Sequence, residues 1–206
     1  KKRFLSLLNK TKISISNDDT RHYLNGIYLH ATESNKNTFL TGVATDSHRL
    51  SSSSILVENI KSFASIIIPR KTVFQLCSLL DNIDEKLIIQ ASASKIKFSL
   101  GKINLISKVI DGKFPDYQKV VPKENTKTLT VVSSDFISSI ERVASVSIDR
   151  KEGVKLELSR DKLRLSVNST NSGDGNEVVA AKYDGEELTI GFNSKYLIDI
   201  ASEIED

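Results

Sequence analysis

An α+β fold built from a repeated unit, two helices packed on antiparallel sheets, is what these 206 residues predict. Three observations carry it. Short runs with a two-residue alternation dominate the chain. Four other segments bring their apolar residues round every 3.6 positions. The opening and closing parts of the chain can also be laid over each other.

The chain opens on Lys1-Lys2-Arg3, directly against Phe4 to Lys10, where Phe4, Leu7 and Leu8 share one helical face. Ile27 to Ala31, Phe39 to Ala44 and Ile66 to Ile68 then read as strands. Pro69 suits a helix start, and Lys71 to Leu80 aligns Val73, Leu76, Cys77 and Leu80. Leu87 to Ile89 and Ile96 to Leu100 belong to a stretch, ending at Val109, that holds two or three more strands. The stretch from Phe114 to Asn125 carries two of the three prolines and reads as an interdomain linker, giving domains 1–124 and 125–206. Beyond it, Leu129 to Val132 reads as a strand, and Asp135 to Val146 as a helix with Ser134 or Asp135 as N-cap. Val154 to Leu158 and Leu163 to Val167 alternate as strands, and Ser194 is placed to cap a helix from Tyr196 to Ile204.

Phe4 to Leu8 answers to Phe136 to Ile140 at an offset of 132 residues, and the segments that follow, Ile13 to Ser16 and Val146 to Asp149, answer to each other in the same order. Ile67-Ile68-Pro69-Arg70-Lys71 answers to Gly191-Phe192-Asn193-Ser194-Lys195, and the helix ends Leu79 to Asp81 answer to Ile204 to Asp206. The first half continues past its second helix into further strands that the second half lacks. With no Met anywhere, the chain therefore reads as a piece of something longer.

The net charge of +3 is a difference between unlike halves. Residues 1–124 hold 19 Lys and Arg against 11 Asp and Glu, whereas residues 125–206 hold 10 against 15. No apolar run reaches the roughly 20 residues of a membrane span, so no membrane partner is expected. A lone cysteine excludes an intrachain disulfide and a thiolate zinc cage, and fits a cytoplasmic home.

Catalysis finds little support. His22, His30 and His48 have no paired metal spacing, so no metal is expected. Phosphate-cradling glycine motifs are absent and no cofactor is expected. Asp46, Ser47 and His48 contain the residue types of a hydrolytic triad, but neighbours on an extended segment point to opposite sides. Binding is better supported, because Lys1, Lys2, Arg3, Lys10 and Lys12 cluster about one helix and Arg70 and Lys71 begin another. Helix faces of one sign can track a phosphate backbone without reading bases. A hydrolase and a free-standing peptide-binding sheet protein stand as alternatives.

Five motifs, Arg21-His22-Tyr23-Leu24-Asn25-Gly26, Ala44 to Leu50, Ile68 to Lys71, Asp111 to Tyr117 and Gly191-Phe192-Asn193, occur in the order seen in the bacterial replicative sliding clamp, the beta subunit of DNA polymerase III. The resemblance covers essentially the whole chain. It implies repeated DNA-clamp domains, the second domain without its first strand at 1–124 and the third without its C-terminal strands at 125–206. It also implies a non-catalytic processivity factor, homodimeric when full length, that closes a ring around duplex DNA. Implied partners are the DNA polymerase III alpha subunit, the clamp loader and other proteins carrying a clamp-binding motif. Carried over by motif, a peptide-binding cleft falls on Arg21, Leu24, Thr45, Ser47, His48, Arg49, Leu50, Pro115, Lys119, Val120, Asn193 and Tyr196. DNA contacts fall on Lys2, Arg3, Lys10, His22, Tyr23, Arg70 and Lys71. Ser47 stands where the family commonly has Gly, and His22 where an aromatic is frequent.

Overall fold

The computed structural model describes residues 1–57, 63–146, 153–169 and 173–204. The chain divides into two compact units, Lys1–Asp116 and Tyr117–Asp206, and the division falls inside the proline-bearing stretch read as a linker.

Unit 1 begins with α1 (Lys2–Lys12), whose Phe4, Leu7, Leu8 and Thr11 form the buried face. Thr11 is the polar member of that face, and its hydroxyl donates to the Leu7 carbonyl at 2.7 Å. A kinked 3-10 segment, Asp19–Leu24, leads into the antiparallel meander β1 (Gly26–Ser34), β2 (Asn37–Thr45) and β3 (Leu50–Leu56). Next come β4 (Ile66–Pro69), α2 (Arg70–Asn82) and a second meander, β5 (Leu87–Ala91), β6 (Lys95–Leu100) and β7 (Ile103–Lys108). One sheet has the order β3-β2-β1-β4 and the other β5-β6-β7. The core is closed by Leu7 and Leu8 of α1, Leu76 and Leu80 of α2, and Ile27, Leu29, Ile68, Ile96 and Phe98 of the sheets.

Unit 2 repeats the plan with α3 (Ser133–Ala144), β8 (Gly153–Ser159), β9 (Lys162–Ser169), β10 (Gly173–Ala180), β11 (Leu188–Asn193) and α4 (Ser194–Ala201). Its sheet order, β10-β9-β8-β11, is that of β3-β2-β1-β4. The correspondence reaches single residues. Gly26 opens β1 opposite Pro69, and Gly153 opens β8 opposite Asn193, each partner standing just before a helix. At Gly26 the glycine is a steric requirement, since a Cβ there would lie 2.2 Å from the Ile68 carbonyl oxygen.

Several local readings change. Leu129 to Val132 does not form a strand: Thr130 makes a single antiparallel bridge to Lys182, and Val132 already serves as N-cap of α3. Ser134 and Asp135 sit inside the first turn of α3, which has no side-chain cap, although Asp135 still complements the positive end of the helix. Asn193, not Ser194, caps α4 by accepting from the Lys195 amide at 2.9 Å, and the helix ends at Ala201 rather than Ile204. The side chain of Ser194 is buried. β3 and β10 are additional strands in Ser-rich and Gly-rich sequence, held by pairing with β2 and β9. The repeat segment Ser147-Ile148-Asp149 and the final Glu205-Asp206 lie outside the described residues.

Candidate nucleic-acid interface

The two helices of unit 1 lie side by side and antiparallel. The Lys1 ammonium, at the start of α1, donates to the Ile83 carbonyl just past α2 at 2.7 Å. At the other end, the Lys12 ammonium lies 6.0 Å from the Phe74 ring centre in the first turns of α2. Because Phe4, Leu7, Leu8 and Thr11 face the core, a period of 3.6 turns Lys2, Ser6 and Asn9 outward, with Arg3 and Lys10 on one flank. On α2 the same geometry turns Lys71, Gln75 and Ser78 outward, opposite Val73, Leu76, Cys77 and Leu80. Lys2, Arg3 and Lys71 are exposed, and Lys10 is half-buried.

Arg70 is placed differently. It is half-buried, its guanidinium stacks on Phe74 at 4.8 Å, and one nitrogen reaches the Ile15 carbonyl at 3.5 Å. Arg70 therefore fastens the junction between the helices as well as adding charge. Phe74 itself is 43% exposed. Sequence reasoning passed over it, and the available signal was an aromatic residue off the apolar spacing and one turn after an arginine.

His22 and Tyr23 sit together in the 3-10 segment, rings edge to face at 5.9 Å. His22 Nε2 is 3.2 Å from the Asp111 carbonyl oxygen, and a Cβ on Gly112, at φ +151°, would come 3.1 Å from the Tyr23 Cβ. The Asp111-Gly112 stretch is thus the seat on which this pair rests.

A second constellation occupies the β2–β3 turn. One Asp46 carboxylate oxygen accepts from the amides of His48 and Arg49, both at 3.0 Å, and the other from the Arg49 guanidinium at 3.0 Å. Thr45 closes the turn by donating its hydroxyl to the Arg49 carbonyl at 2.7 Å and accepting from the Ser47 amide at 3.1 Å. Ser47 stands at φ +78°, the left-handed region where a side chain is strained, and its hydroxyl accepts from Arg21. Arg21 also binds Asp18 at 2.9 Å. The Thr20 hydroxyl, the Thr20 amide and Arg21 together hold the Asp18 carboxyl down to about 2. With both oxygens of Asp46 spent on the turn, the Asp46-Ser47-His48 sequence is a turn-building device in which the acid is oriented by amides and an arginine.

Of the remaining residues named from the sequence, Leu24 is buried at 2% exposure, Leu50 is half-buried and Pro115 is exposed, all within unit 1. Within unit 2, Lys119 ends a short 3-10 turn, Tyr117–Lys119, and Val120 follows it 69% exposed. Asn193 is the α4 cap, and Tyr196 is half-buried on that helix. Among the described residues there is no cluster of three or more His, Cys, Asp or Glu able to hold a metal, and no helix long and apolar enough to cross a membrane.

Helix pairs laid on antiparallel sheets, repeated along the chain with matching strand order, define the class: an α+β protein of clamp domains. Residues 1–116 match the family model of the DNA polymerase III beta subunit central domain, and residues 118–206 that of its C-terminal domain. The chain belongs to the DNA polymerase III beta subunit family. It is 38% identical over 201 residues to the beta sliding clamp of Caulobacter vibrioides, covering 97% of this chain and 54% of that protein. It is 34% identical over 199 residues to the beta sliding clamp of Escherichia coli K12, covering 97% and 53%. A crystal structure of a DnaN sliding clamp from Bartonella birtlesii bound to griselimycin superposes with a TM-score of 0.95 at 42% identity, over 100% of this chain and 55% of that one. A Caulobacter crescentus beta sliding clamp crystallised with polyethylene glycol gives 0.97 at 37%, again over 100% and 55%. The chain spans about half the length of the curated relatives it matches.

Proposed function

We propose that this chain is part of a DNA sliding clamp that, in its full-length homodimeric form, rings duplex DNA. In that role it acts as a non-catalytic processivity factor. The observation that supports this most directly is the helix pair of unit 1, where Lys2, Arg3, Lys10, Lys12, Arg70 and Lys71 are opposed by one acid, Asp81. Ammonium groups on a helix face neutralise phosphates and release condensed counterions without reading bases, which suits a protein that must slide. His22 and Tyr23 would add contacts from the loop.

Docking of the polymerase alpha subunit, the clamp loader and other partners through a short peptide belongs to the same proposal. In unit 1 the turn Thr45–Leu50 and Arg21 provide a rigid polar rim, and Leu24 and Leu50 an apolar floor with Pro115. In unit 2 the proposed contributors are Lys119, Val120, Asn193 and Tyr196.

Fluorescence anisotropy on two unrelated duplexes over a salt series tests the DNA reading. Log affinity should fall linearly with log salt, equally for both duplexes, and Lys71→Ala should flatten the slope by about 0.9, the share of one phosphate contact. Lys97→Ala, on the sheet, should leave it unchanged. If Lys97→Ala flattens the slope as much as Lys71→Ala, the helix face is not the interface. For the full-length protein, retention on nicked circular DNA and release on linearisation tests the ring.

A further inference from the structure

On the face of unit 1 opposite α1 and α2 lies a cavity of about 540 Å3, a volume in the range of small-molecule sites. Its polar lining is Tyr28, Ser65, Ser94, Lys95, Lys108 and Asp111, with isoleucines of β4 and the segment after β7 between them. The alternation of the strands places it there. Ile27 and Leu29 enter the helix-covered core while Tyr28 points the other way, and Ile96 does so while Lys95 points away. We propose that this cavity binds a small phosphate-bearing anion of up to mononucleotide size.

Charge is the first reason. Lys95 and Lys108 are directly opposed partners in the β6–β7 ladder, and like charges in that position destabilise a sheet unless something neutralises them. Neither ammonium has an ion-pair or side-chain hydrogen-bond partner among the described residues. Among the described residues Asp111 is the one acidic group in the lining, against Lys95 and Lys108, so their charge there is net positive.

The donor set is the second. Tyr28 is clamped between Phe114, stacked at 4.9 Å and 7°, and His30, at 4.7 Å and 24°. With both ring faces taken, Tyr28 meets the cavity through its edge and hydroxyl, and that hydroxyl makes no hydrogen bond among the described residues. The Ser65 and Ser94 hydroxyls are equally uncommitted. Two ammoniums and three hydroxyls exceed what a carboxylate's two oxygens can accept in this geometry, whereas three phosphate oxygens can use them all. The blocked Tyr28 faces mean that recognition falls on the phosphate rather than on a stacked base.

Isothermal titration of the chain with sodium pyrophosphate at fixed ionic strength tests this, and the variants that decide it, at Lys95, Lys108 and Tyr28, lie outside the proposed DNA contacts. Saturable binding is expected at submillimolar to millimolar concentration. The Lys95→Gln/Lys108→Gln variant should weaken it by about tenfold or more, and Tyr28→Phe, which keeps the ring stack, by about threefold. Lys97→Gln, a half-buried charge on the same strand outside the cavity lining, should change it less than about twofold. Absence of saturation, an equal loss in Lys97→Gln, or saturable binding of an unphosphorylated nucleoside would each overturn the assignment.

Discussion

The helix pairs of the two units share a frame and differ in surface. α1 and α2 carry six basic residues against one acid, while α3 and α4 carry two basic residues against three acids. Even the matching lysines differ: Lys71 is exposed and has no ion pair among the described residues, whereas Lys195 is paired with Asp199 at 3.3 Å one turn along. Their buried faces are alike, with Leu8 and Thr11 in one unit answered by Ile140 and Val143 in the other, all at 3% exposure or less. Folding constrains only the residues that leave water, so the outward faces are free to be charged or neutral as function requires.

The hardest test of the shared frame is its core. Leu8 and Ile140 are equivalent and fully buried, so Leu8→Ala and Ile140→Ala should each cost about 2–5 kcal/mol in urea denaturation. A loss under about 1 kcal/mol at either would break the equivalence. Next comes a place where the frame is used unequally. A Cβ at Gly26 would strike the Ile68 carbonyl at 2.2 Å, while one at Gly153 finds Phe192 O at an ordinary 3.4 Å. Gly26→Ala should therefore cost about 1–3 kcal/mol, and Gly153→Ala less than about 0.5 kcal/mol.

Surface differences should give smaller signals. Under the proposed DNA reading, Lys71→Ala removes one phosphate contact and Lys195→Ala removes a charge already committed to Asp199. The anisotropy salt slope should change by about 0.9 in the first and much less in the second. Equal changes would mean that both units share the interface evenly. The faintest expected difference is in pH. All three histidines lie in unit 1, and burial pushes the His30 imidazole below its ordinary 6.5, against a weaker opposing bond to the Ala31 carbonyl. Because the folded form resists protonation, unit 1 should lose stability as pH falls through and below 6.5 and gain none above it. His30→Gln should flatten that dependence in thermal melts between pH 7 and 5, and an unchanged profile would assign it elsewhere.

Much of this was written in the linear order of residues. The period of Phe4, Leu7 and Leu8, the alternation of Lys155, Leu156 and Glu157, and the two halves' correspondence are local or self-similar signals that need no knowledge of packing. They suffice for four helices, most strands and the basic character of one helix pair. The five motifs likewise sufficed to name the family. Tertiary structure decided the rest, because those outcomes depend on partners far away in sequence. The serines of β3 carry no strand signal and become one by pairing with β2. Leu129 to Val132 has strand-like residues yet finds only one bridging partner. Asn193 takes the cap that Ser194 was placed to hold, because β11 ends there opposite Gly153. Arg70, one more positive charge in the sequence, is drawn onto Phe74 and the Ile15 carbonyl only once α1 and α2 are brought together. The opposition of Lys95 to Lys108 follows from the register of β6 on β7, which the twelve intervening positions of sequence do not reveal. A side chain's periodicity tells which way it faces, but what it meets there is fixed by long-range closure of the chain, and that closure made the basic helix face and the cavity behind it.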